Sequence, residues 1–221
     1  FVSHDMGAVK SMCQWVVLMD KGEVLEQGTA EKVADQYLKR AHARGNERLS
    51  MLNRGSSAYP RWGSGEVEVT DVELLGPDNA VTHVLETGKP FGLRLRWKAH
   101  GACTNPVFGF GLYRSDGTYV NGSNHHWRDT PIEVRDVAAG EEGEVVISSE
   151  RLQLMHGQYY VTTFLYDHSK PAPTPIDHRE HALTFEVVDA RRLQHGLFWL
   201  PTAWKVVRRG TSGETVQESS S

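Results

Sequence analysis

From residue 61 onward, apolar and polar residues alternate in short runs, which is the pattern of half-buried β-strands. Six runs carry this pattern: 66–70, 91–97, 107–113, 144–148, 158–166 and 182–188. Turn-forming residues separate them at 76–79, 115–117, 140–143 and 156–157. Short strands punctuated by turns, with no helical segments between them, predict a mainly β fold, namely an antiparallel β-sandwich of the immunoglobulin-like or jelly-roll type.

Alternation also assigns side chains to the two faces of these strands. In 91–97 the apolar side chains are predicted to face inward, and Arg94 and Arg96 outward. In 107–113 the phenylalanines share one face, and two glycines share the other face with Tyr113. Two glycines on one face leave a flat or concave patch that another backbone or a ligand can approach closely.

The N-terminal part of the chain has a different pattern. Apolar residues recur at helical spacing in 5–14, and the β-branched run 16–19 precedes Lys21-Gly22, a pair that suits a tight hairpin turn. A second helical pattern starts at Thr29 and is predicted to fade near 44–46. We therefore expect a short α/β unit over residues 1–41.

Two further stretches show neither the alternation of a strand nor the apolar spacing of a helix. The stretch 42–60 is polar and contains Gly, Ser and Asn, so that it predicts a linker. The stretch 210–221 is rich in Ser, Gly and Glu and predicts a disordered tail. The sandwich is then expected to occupy residues 61–209.

Composition narrows the class of protein. The chain of 221 residues has a net charge of -4, which argues against a nucleic-acid partner, because such proteins are normally strongly basic. Its longest apolar run is far shorter than the roughly 20 residues needed to span a bilayer. Cys13 and Cys103 fit no metal or redox spacing and predict two free thiols. Because the chain does not begin with Met, we expect the natural N-terminus to lie elsewhere.

The first residues resemble a known nucleotide-binding protein. The order of Phe1–Met6, 16–24 and 26–29 resembles the last part of an ATP-binding cassette (ABC) ATPase, from its switch-histidine loop onward. The resemblance implies that His4 senses the terminal phosphate of ATP in a longer parent protein. The sequence contains no Gly-rich phosphate loop with its Lys, no signature motif and no Mg-binding acidic strand. We therefore expect no enzymatic activity and no cofactor in this chain, with ATP and Mg belonging to the parent.

The order of ABC tail, linker and sandwich resembles the Wzt-type ATP-binding subunits that export O-antigen polysaccharides. Several segments carry the resemblance: 61–66, 87–90, 106–109, Asp116-Gly117 with Val120, Gly122 and Asn124, Leu154 with Gly157 and Tyr159, and Gly196-Leu197 with Leu200-Pro201 and Trp204. One departure is Asn124-His125-His126, where Asn-Thr is more usual. The resemblance implies a carbohydrate-binding sandwich that recognises the exported glycan, often at a modified non-reducing end. It also implies a cytoplasmic location at the inner membrane, with a transmembrane exporter subunit as partner.

One polar and aromatic cluster is the first candidate glycan site. It comprises Asn121, Asn124, His125, Trp127 and Arg128, together with His126. Sugar recognition combines planar apolar faces with polar groups that fix hydroxyls, and this segment supplies both. The alternative interpretation is a loop after a hairpin, in which the Asn side chains satisfy turn geometry and Trp127 covers the edge of the core.

A second candidate site is formed by Arg94, Arg96 and Tyr113, expected on the outward face of adjacent strands. Arginine could pair with a carboxylate or phosphate of the glycan through its bidentate fork. The alternative interpretation is a pair of solvated arginines on an antiparallel sheet, which the pattern favours.

Histidines and acidic residues on either side of the prolines at 171, 173 and 175 suggest a metal or acid–base site. They lie at Asp167-His168 and at 177–181. We interpret them as a solvated loop, because three prolines make the segment irregular. The pattern singles out no pair of carboxylates for glycoside hydrolysis. We therefore predict no metal ligand and no catalytic residue, and a hydrolase is the function that the sequence supports least.

The segment 197–207 is an apolar strand that would be exposed unless another strand paired with it. Exchange of this strand between two copies would make a homodimer.

The resemblance to Wzt-type subunits implies non-catalytic recognition of O-antigen polysaccharide for export. The alternative function is a structural module that dimerises the ATPase subunit without binding glycan.

Overall fold

A computed structural model describes residues 9–10, 12–54, 59–126, 136–169, 172–189, 196–202, 205–209 and 215–219. Near its start, β1 (Trp15–Asp20) pairs antiparallel with β2 (Glu23–Thr29). The φ angles of Lys21 and Gly22 are 49° and 86°, and two consecutive positive φ angles are what a type I′ hairpin turn requires. The predicted hairpin is confirmed. Of the helix predicted over 5–14, the described residues 9, 10 and 12 are helical.

The helix α1 (Ala30–Arg54) begins where the pattern predicted but does not fade near residue 45. The prediction of a linker over 42–60 is therefore wrong for residues 42–54. Tertiary packing explains the extension, because Leu49 is fully buried against Val84 and Val188 of the sandwich. A Cβ at Gly45 would lie 2.7 Å from a methyl group of Val84, so this glycine permits close approach of the helix.

Hydrogen bonds fix the same helix to the sandwich. The Asn53 side chain donates to the Thr184 carbonyl at 3.0 Å and accepts from the Thr184 amide at 2.9 Å. The Asn46 side chain accepts from the Thr82 hydroxyl at 3.0 Å. The other end of α1 packs through Ala30 and Ala34 on a separate cluster with Val9. One helix thus contacts both the N-terminal hairpin and the sandwich.

Two sheets form the sandwich. Its strands are β3 (Arg61–Trp62), β4 (Val67–Leu75), β5 (Val84–Glu86), β6 (Phe91–Ala99), β7 (Pro106–Arg114), β8 (Tyr119–Asn124), β9 (Glu142–Ser149), β10 (Gly157–Asp167) and β11 (Thr174–Val188). The larger sheet has the order β3-β11-β10-β7-β8, with β5 pairing parallel to β11. The smaller sheet has the order β4-β6-β9. All six predicted strands are present, and the predicted mainly β, antiparallel sandwich is confirmed.

The C-terminal part differs from the prediction. Strands β12 (Lys205–Arg209) and β13 (Thr215–Ser219) pair antiparallel as a separate hairpin. The prediction of disorder over 210–221 is therefore wrong for 215–219. Of the predicted strand 197–207, the part before β12 runs alongside Gln153–Met155 through a bridge between Leu154 and Phe198.

A hydrophobic core fills the space between the two sheets. Its buried side chains come from both: Val69, Leu74, Leu93 and Leu95 from the smaller sheet, and Tyr159, Val161, Phe185 and Val187 from the larger one. Tyr159 is almost fully buried, and its hydroxyl donates to the Met155 carbonyl at 2.8 Å. The inward direction predicted for the leucines of β6 is confirmed.

A partly buried ion pair of the larger sheet hydrogen-bonds to Val69 of the smaller sheet. Arg61 donates to both carboxylate oxygens of Asp177 at 2.8 Å and to the Val69 carbonyl at 3.0 Å. The Val69 amide donates to Asp177 at 2.7 Å. The hydrogen bonds to Asp177 raise the pKa of Arg61. Residues 177–181 are thus part of strand β11, and the interpretation of this stretch as a solvated loop is wrong.

Strand pairing also separates two groups of predicted site residues. Arg94 and Arg96 lie on β6 in the smaller sheet, whereas Tyr113 lies on β7 in the larger sheet. The prediction that they share the outward face of adjacent strands is wrong. The physical reason is that the chain crosses from the smaller sheet to the larger one between β6 and β7, so the outward faces of these two strands point in opposite directions.

Both cysteines are free thiols, as predicted, and burial raises the pKa of Cys103 to about 11. Within the described residues, no helix is both long and apolar enough to cross a membrane.

Candidate functional site

A groove of about 430 Å³ lies on the outer face of the larger sheet. It crosses strands β8, β7, β10 and β11. Its lining is mainly aromatic: Gly111, Tyr113, Tyr119, Gly122, Asn124, Thr162, Phe164, Tyr166, His168, Pro173 and His178.

The floor of the groove consists of Gly111, Gly122 and Thr162. Gly111 pairs with Gly122 on one side and with Thr162 on the other, so three small residues lie side by side across neighbouring strands. Because Gly111 has no Cβ, the floor is low there, whereas the Tyr119 hydroxyl occupies the corresponding space over Gly122. The prediction that glycines on β7 leave a concave patch is confirmed at Gly111. At Gly109 the ring of Phe164 covers the backbone instead.

One wall of the groove is formed by Tyr119 and Tyr113, which begin a tyrosine row that continues away from the groove through Tyr160, His181 and Tyr59. The rings of Tyr113 and Tyr160 stack with centroids 5.1 Å apart and planes 4° apart. His181 stacks on Tyr160 at 3.5 Å and on Tyr59 at 4.0 Å. Each stacked ring of the row therefore covers a face of its neighbour.

Tyr119 ends the row in a different orientation. Its ring meets Tyr113 edge-on, with planes 63° apart. Its hydroxyl lies over Gly122, in the space that a Cβ there would occupy. The side chain is 58% exposed. Tyr119 therefore lies across its own strand and presents a ring to solvent at the end of the groove.

The second wall contains Phe164, His178 and Tyr166. His178 stacks on Trp62 at 3.9 Å, and Phe164 meets Tyr166 edge-on at 5.8 Å. Phe164 lies four residues from Tyr160 on the same strand, about 13 Å of extended chain. This separation leaves room between the walls for a flat ring.

The groove lining is uncharged near pH 7. Among its described residues there is no Lys, Arg, Asp or Glu. Burial lowers the pKa of both His168 and His178, and for His168 the nearby His126 and His125 act in the same direction. Burial raises the pKa of Tyr113 and Tyr160, so these hydroxyls stay protonated and can donate hydrogen bonds.

The structure brings Asn121, Asn124 and His125 of the first predicted cluster together at a second cavity, and only Asn124 of these also lines the groove. The Asn124 side chain accepts from the His126 amide at 2.9 Å. The second cavity has a volume of about 740 Å³ and lies between the two sheets. His125 packs against Phe108 and contacts the Pro106 carbonyl at 3.2 Å. Trp127, Arg128 and His4 lie outside the described residues.

The two arginines of the second cluster are occupied by carboxylates. Arg94 pairs with Glu73 at 3.0 Å and with Glu144 at 3.5 Å. Arg96 pairs with Asp71 at 3.3 Å and with Glu73 at 3.1 Å. Neither arginine borders the groove, since both lie on the opposite outer face.

His178 and His181, considered for a metal site, stack on aromatic rings instead. Within the part of the chain that the structure describes, no group of three or more His, Cys, Asp or Glu side chains is arranged to hold a metal ion.

Sequence reasoning missed most of the groove. Of the predicted glycan-site residues that the structure describes, Tyr113 and Asn124 line it, whereas Tyr119, Phe164, Tyr166 and His178 were not predicted to bind glycan. One signal was present in the sequence, because aromatic residues alternate in 160–166 although the other face of that strand is also apolar. Outward aromatic residues on a central strand indicate a surface that covers or binds something.

The comparisons with known proteins identify the family. The Wzt C-terminal domain family matches residues 59–200, which is most of the sandwich. The chain therefore belongs to this family. A crystal structure of the C-terminal domain of Wzt has the same fold, with a TM-score of 0.55 at 16% identity, over 66% of this chain and 83% of that one.

Curated relatives match shorter parts of the chain. The teichoic acids export ATP-binding protein TagH of Listeria monocytogenes is 51% identical over 37 residues, which are 17% of this chain and 11% of that protein. The ABC transporter protein AbcA of Aeromonas salmonicida is 47% identical over 62 residues, 25% of this chain and 20% of that protein. The chain thus spans a fifth or less of the length of these two relatives.

Proposed function

We propose that the sandwich of this Wzt C-terminal domain family member binds an O-antigen polysaccharide, at its modified non-reducing end, for export by an ABC transporter. The observation that carries the proposal is the aromatic groove with its glycine floor. In this proposal, recognition involves no chemistry on the glycan. ATP and Mg act in the ATPase part of a longer protein, where His4 senses ATP. That protein acts in the cytoplasm, at the inner membrane, with a transmembrane exporter subunit.

The groove has the chemistry that sugars need. A pyranose ring has C–H faces that pack on aromatic and glycine surfaces, and a rim of hydroxyls that exchange hydrogen bonds with polar side chains. The hydroxyls of Tyr113 and Thr162 and the side chain of Asn124 border the groove. Its volume of about 430 Å³ lies within the range of about 300–1,000 Å³ typical of sites for small organic ligands.

The same lining supports recognition without hydrolysis. Glycosidases place two carboxyl groups on either side of the scissile bond. The described lining of the groove contains no carboxyl group.

Binding of the polysaccharide purified from the source organism tests the proposal. In affinity electrophoresis, Tyr119→Ala should weaken retention by about ten-fold or more, since an exposed aromatic anchor is lost. Val146→Ala is the matched control, because Val146 is 51% exposed on a strand of the opposite outer face. The proposal fails if the polysaccharide does not retain the unaltered protein, or if retention falls by the same factor in both variants.

A second candidate function is dimerisation of the ATPase subunit. Phe198 and Leu200, in the segment that follows the sandwich, are 46% and 66% exposed. Exposed apolar side chains on a segment that already runs beside Leu154 favour pairing with another copy, by exchange of the C-terminal strand. Deletion of residues 193–209 should then convert a dimer to a monomer in light scattering. An unchanged mass would contradict this function.

A further inference from the structure

We infer that the groove selects an uncharged glycan segment with methyl-bearing, apolar faces, such as a run of 6-deoxyhexoses, and rejects uronic acids and phosphorylated sugars. This inference rests on the proposed function, because it names the class of glycan that the same groove takes.

The first argument is the absence of a partner for an anion in the described lining. A sugar carboxylate or phosphate is normally held by Arg or Lys, often through the bidentate guanidinium fork. The described lining contains neither, and Arg94 and Arg96 are paired with carboxylates on the opposite face. His168 and His178 are the ionisable nitrogen groups of the lining, and their lowered pKa keeps them neutral near pH 7.

The second argument is the sign of the nearby charges. Glu180 directly precedes His181 of the tyrosine row. Burial is the largest cause of the raised pKa of Tyr160 and of Tyr113, and Glu180 adds to it for both, as does Asp116 for Tyr160. The same carboxylates would repel an anionic ligand. An anionic sugar would lose its hydration water in an uncharged groove and find no cationic partner there. It should therefore bind at least about ten-fold more weakly than a neutral analogue.

The third argument is the apolar character of the surfaces that a sugar would contact. The floor has no side chain at Gly111, and Phe164 forms part of the second wall. Tyr119 offers a ring at the end of the groove. A methyl group in place of a hydroxymethyl group leaves no hydroxyl to be buried against these surfaces without a hydrogen-bond partner. Loss of that desolvation cost should strengthen binding by about two- to ten-fold for each such sugar.

An array of three classes of oligosaccharide tests the inference on the full chain: neutral hexoses, 6-deoxyhexoses such as rhamnose oligomers, and uronic acids such as oligogalacturonates. We expect the 6-deoxyhexoses to bind most tightly. The uronic acids should bind at least about ten-fold more weakly than the neutral hexoses. Glu180→Gln should narrow that gap by about two- to five-fold, because it removes a nearby repulsive charge. Glu144→Gln, on the opposite outer face, should leave the gap unchanged.

The outcomes separate the inference from the function on which it rests. Uronic acids that bind as tightly as the neutral classes, in a way that Tyr119→Ala abolishes, overturn the inference and leave glycan binding in place. An unchanged gap in Glu180→Gln also contradicts the electrostatic argument. Failure of all three classes and of the purified polysaccharide to bind overturns both.

Discussion

The two outer faces of the sandwich differ in the kind of side chain that their strands expose to water. On the smaller sheet, Arg94, Arg96 and Lys98 of β6 each lie within 4 Å of a carboxylate on a neighbouring strand. On the larger sheet, the outward positions hold aromatic rings that stack on one another around a glycine floor. The charged side chains of the smaller sheet pair with one another, whereas the larger sheet leaves an uncharged groove open to solvent. Only the second arrangement has the chemistry of a binding surface.

The largest change in stability is expected at Asp177, which links the two sheets through Val69. Asp177→Ala should lower the free energy of unfolding by about 1–3 kcal/mol, because the buried Val69 amide would lose its acceptor, while Arg61 is partly exposed and keeps Glu68 as a partner. Urea unfolding measures the change. Asp71→Ala, an exposed partner of Arg96, is the control and should change it by about 1 kcal/mol or less. A change of similar size in both variants would show that Asp177 does not hold the sheets together.

The next effect concerns the floor of the groove. Gly111→Val should weaken glycan binding by about ten-fold or more, or about 1.4 kcal/mol, because the side chain fills the space between the walls. A Cβ there would lie 3.0 Å from the edge of the Tyr113 ring, which can shift, so the fold should be kept. Val146→Phe adds bulk to the other face and should leave binding unchanged. Full binding by Gly111→Val in isothermal calorimetry would exclude this groove as the site.

A smaller effect is expected from pH. Burial lowers the pKa of His178 and His181, while Glu180 and, for His178, Asp177 act in the opposite direction. Burial lowers the pKa of His83 and His168 as well. The unfolded chain, with histidine pKa values of about 6.5, therefore takes up protons before the folded chain does. Stability should be complete above about pH 6.5 and should fall as the pH decreases below it.

Urea unfolding at pH 7 and pH 5.5 measures this dependence. His178→Gln should flatten it, and the exposed His156→Gln serves as the control. A stability that stays constant or rises on acidification would contradict the assignment of neutral, buried histidines to the aromatic face.

The smallest effect is expected on the ion-paired face. Arg96→Ala should change the free energy of unfolding by about 0–1 kcal/mol, because its pairs with Asp71 and Glu73 are partly exposed and water competes for the charges. Glycan binding should not change. A loss of binding in Arg96→Ala, measured by affinity electrophoresis, would place the site on the face that the structure shows as self-paired.

The sequence by itself determined the local elements. The period-two pattern located six strands, and Lys21-Gly22 located the N-terminal turn, because both depend on residues that are neighbours in the chain. Thr29 likewise located the start of α1. The resemblance of the sandwich segments to Wzt-type proteins was also readable in the sequence, and the family match over 59–200 confirms it.

The tertiary structure decided which elements lie together. Strands β6 and β7 are consecutive but lie in opposite sheets, which separates Arg94 from Tyr113. Helix α1 passes Gly45 because Leu49 gains a buried position against the sandwich, a contact between residues far apart in sequence. The groove likewise joins Tyr119, Phe164 and His178 from three strands. Local patterns cannot specify such contacts, since they depend on strand order and register, which only packing of the whole chain fixes.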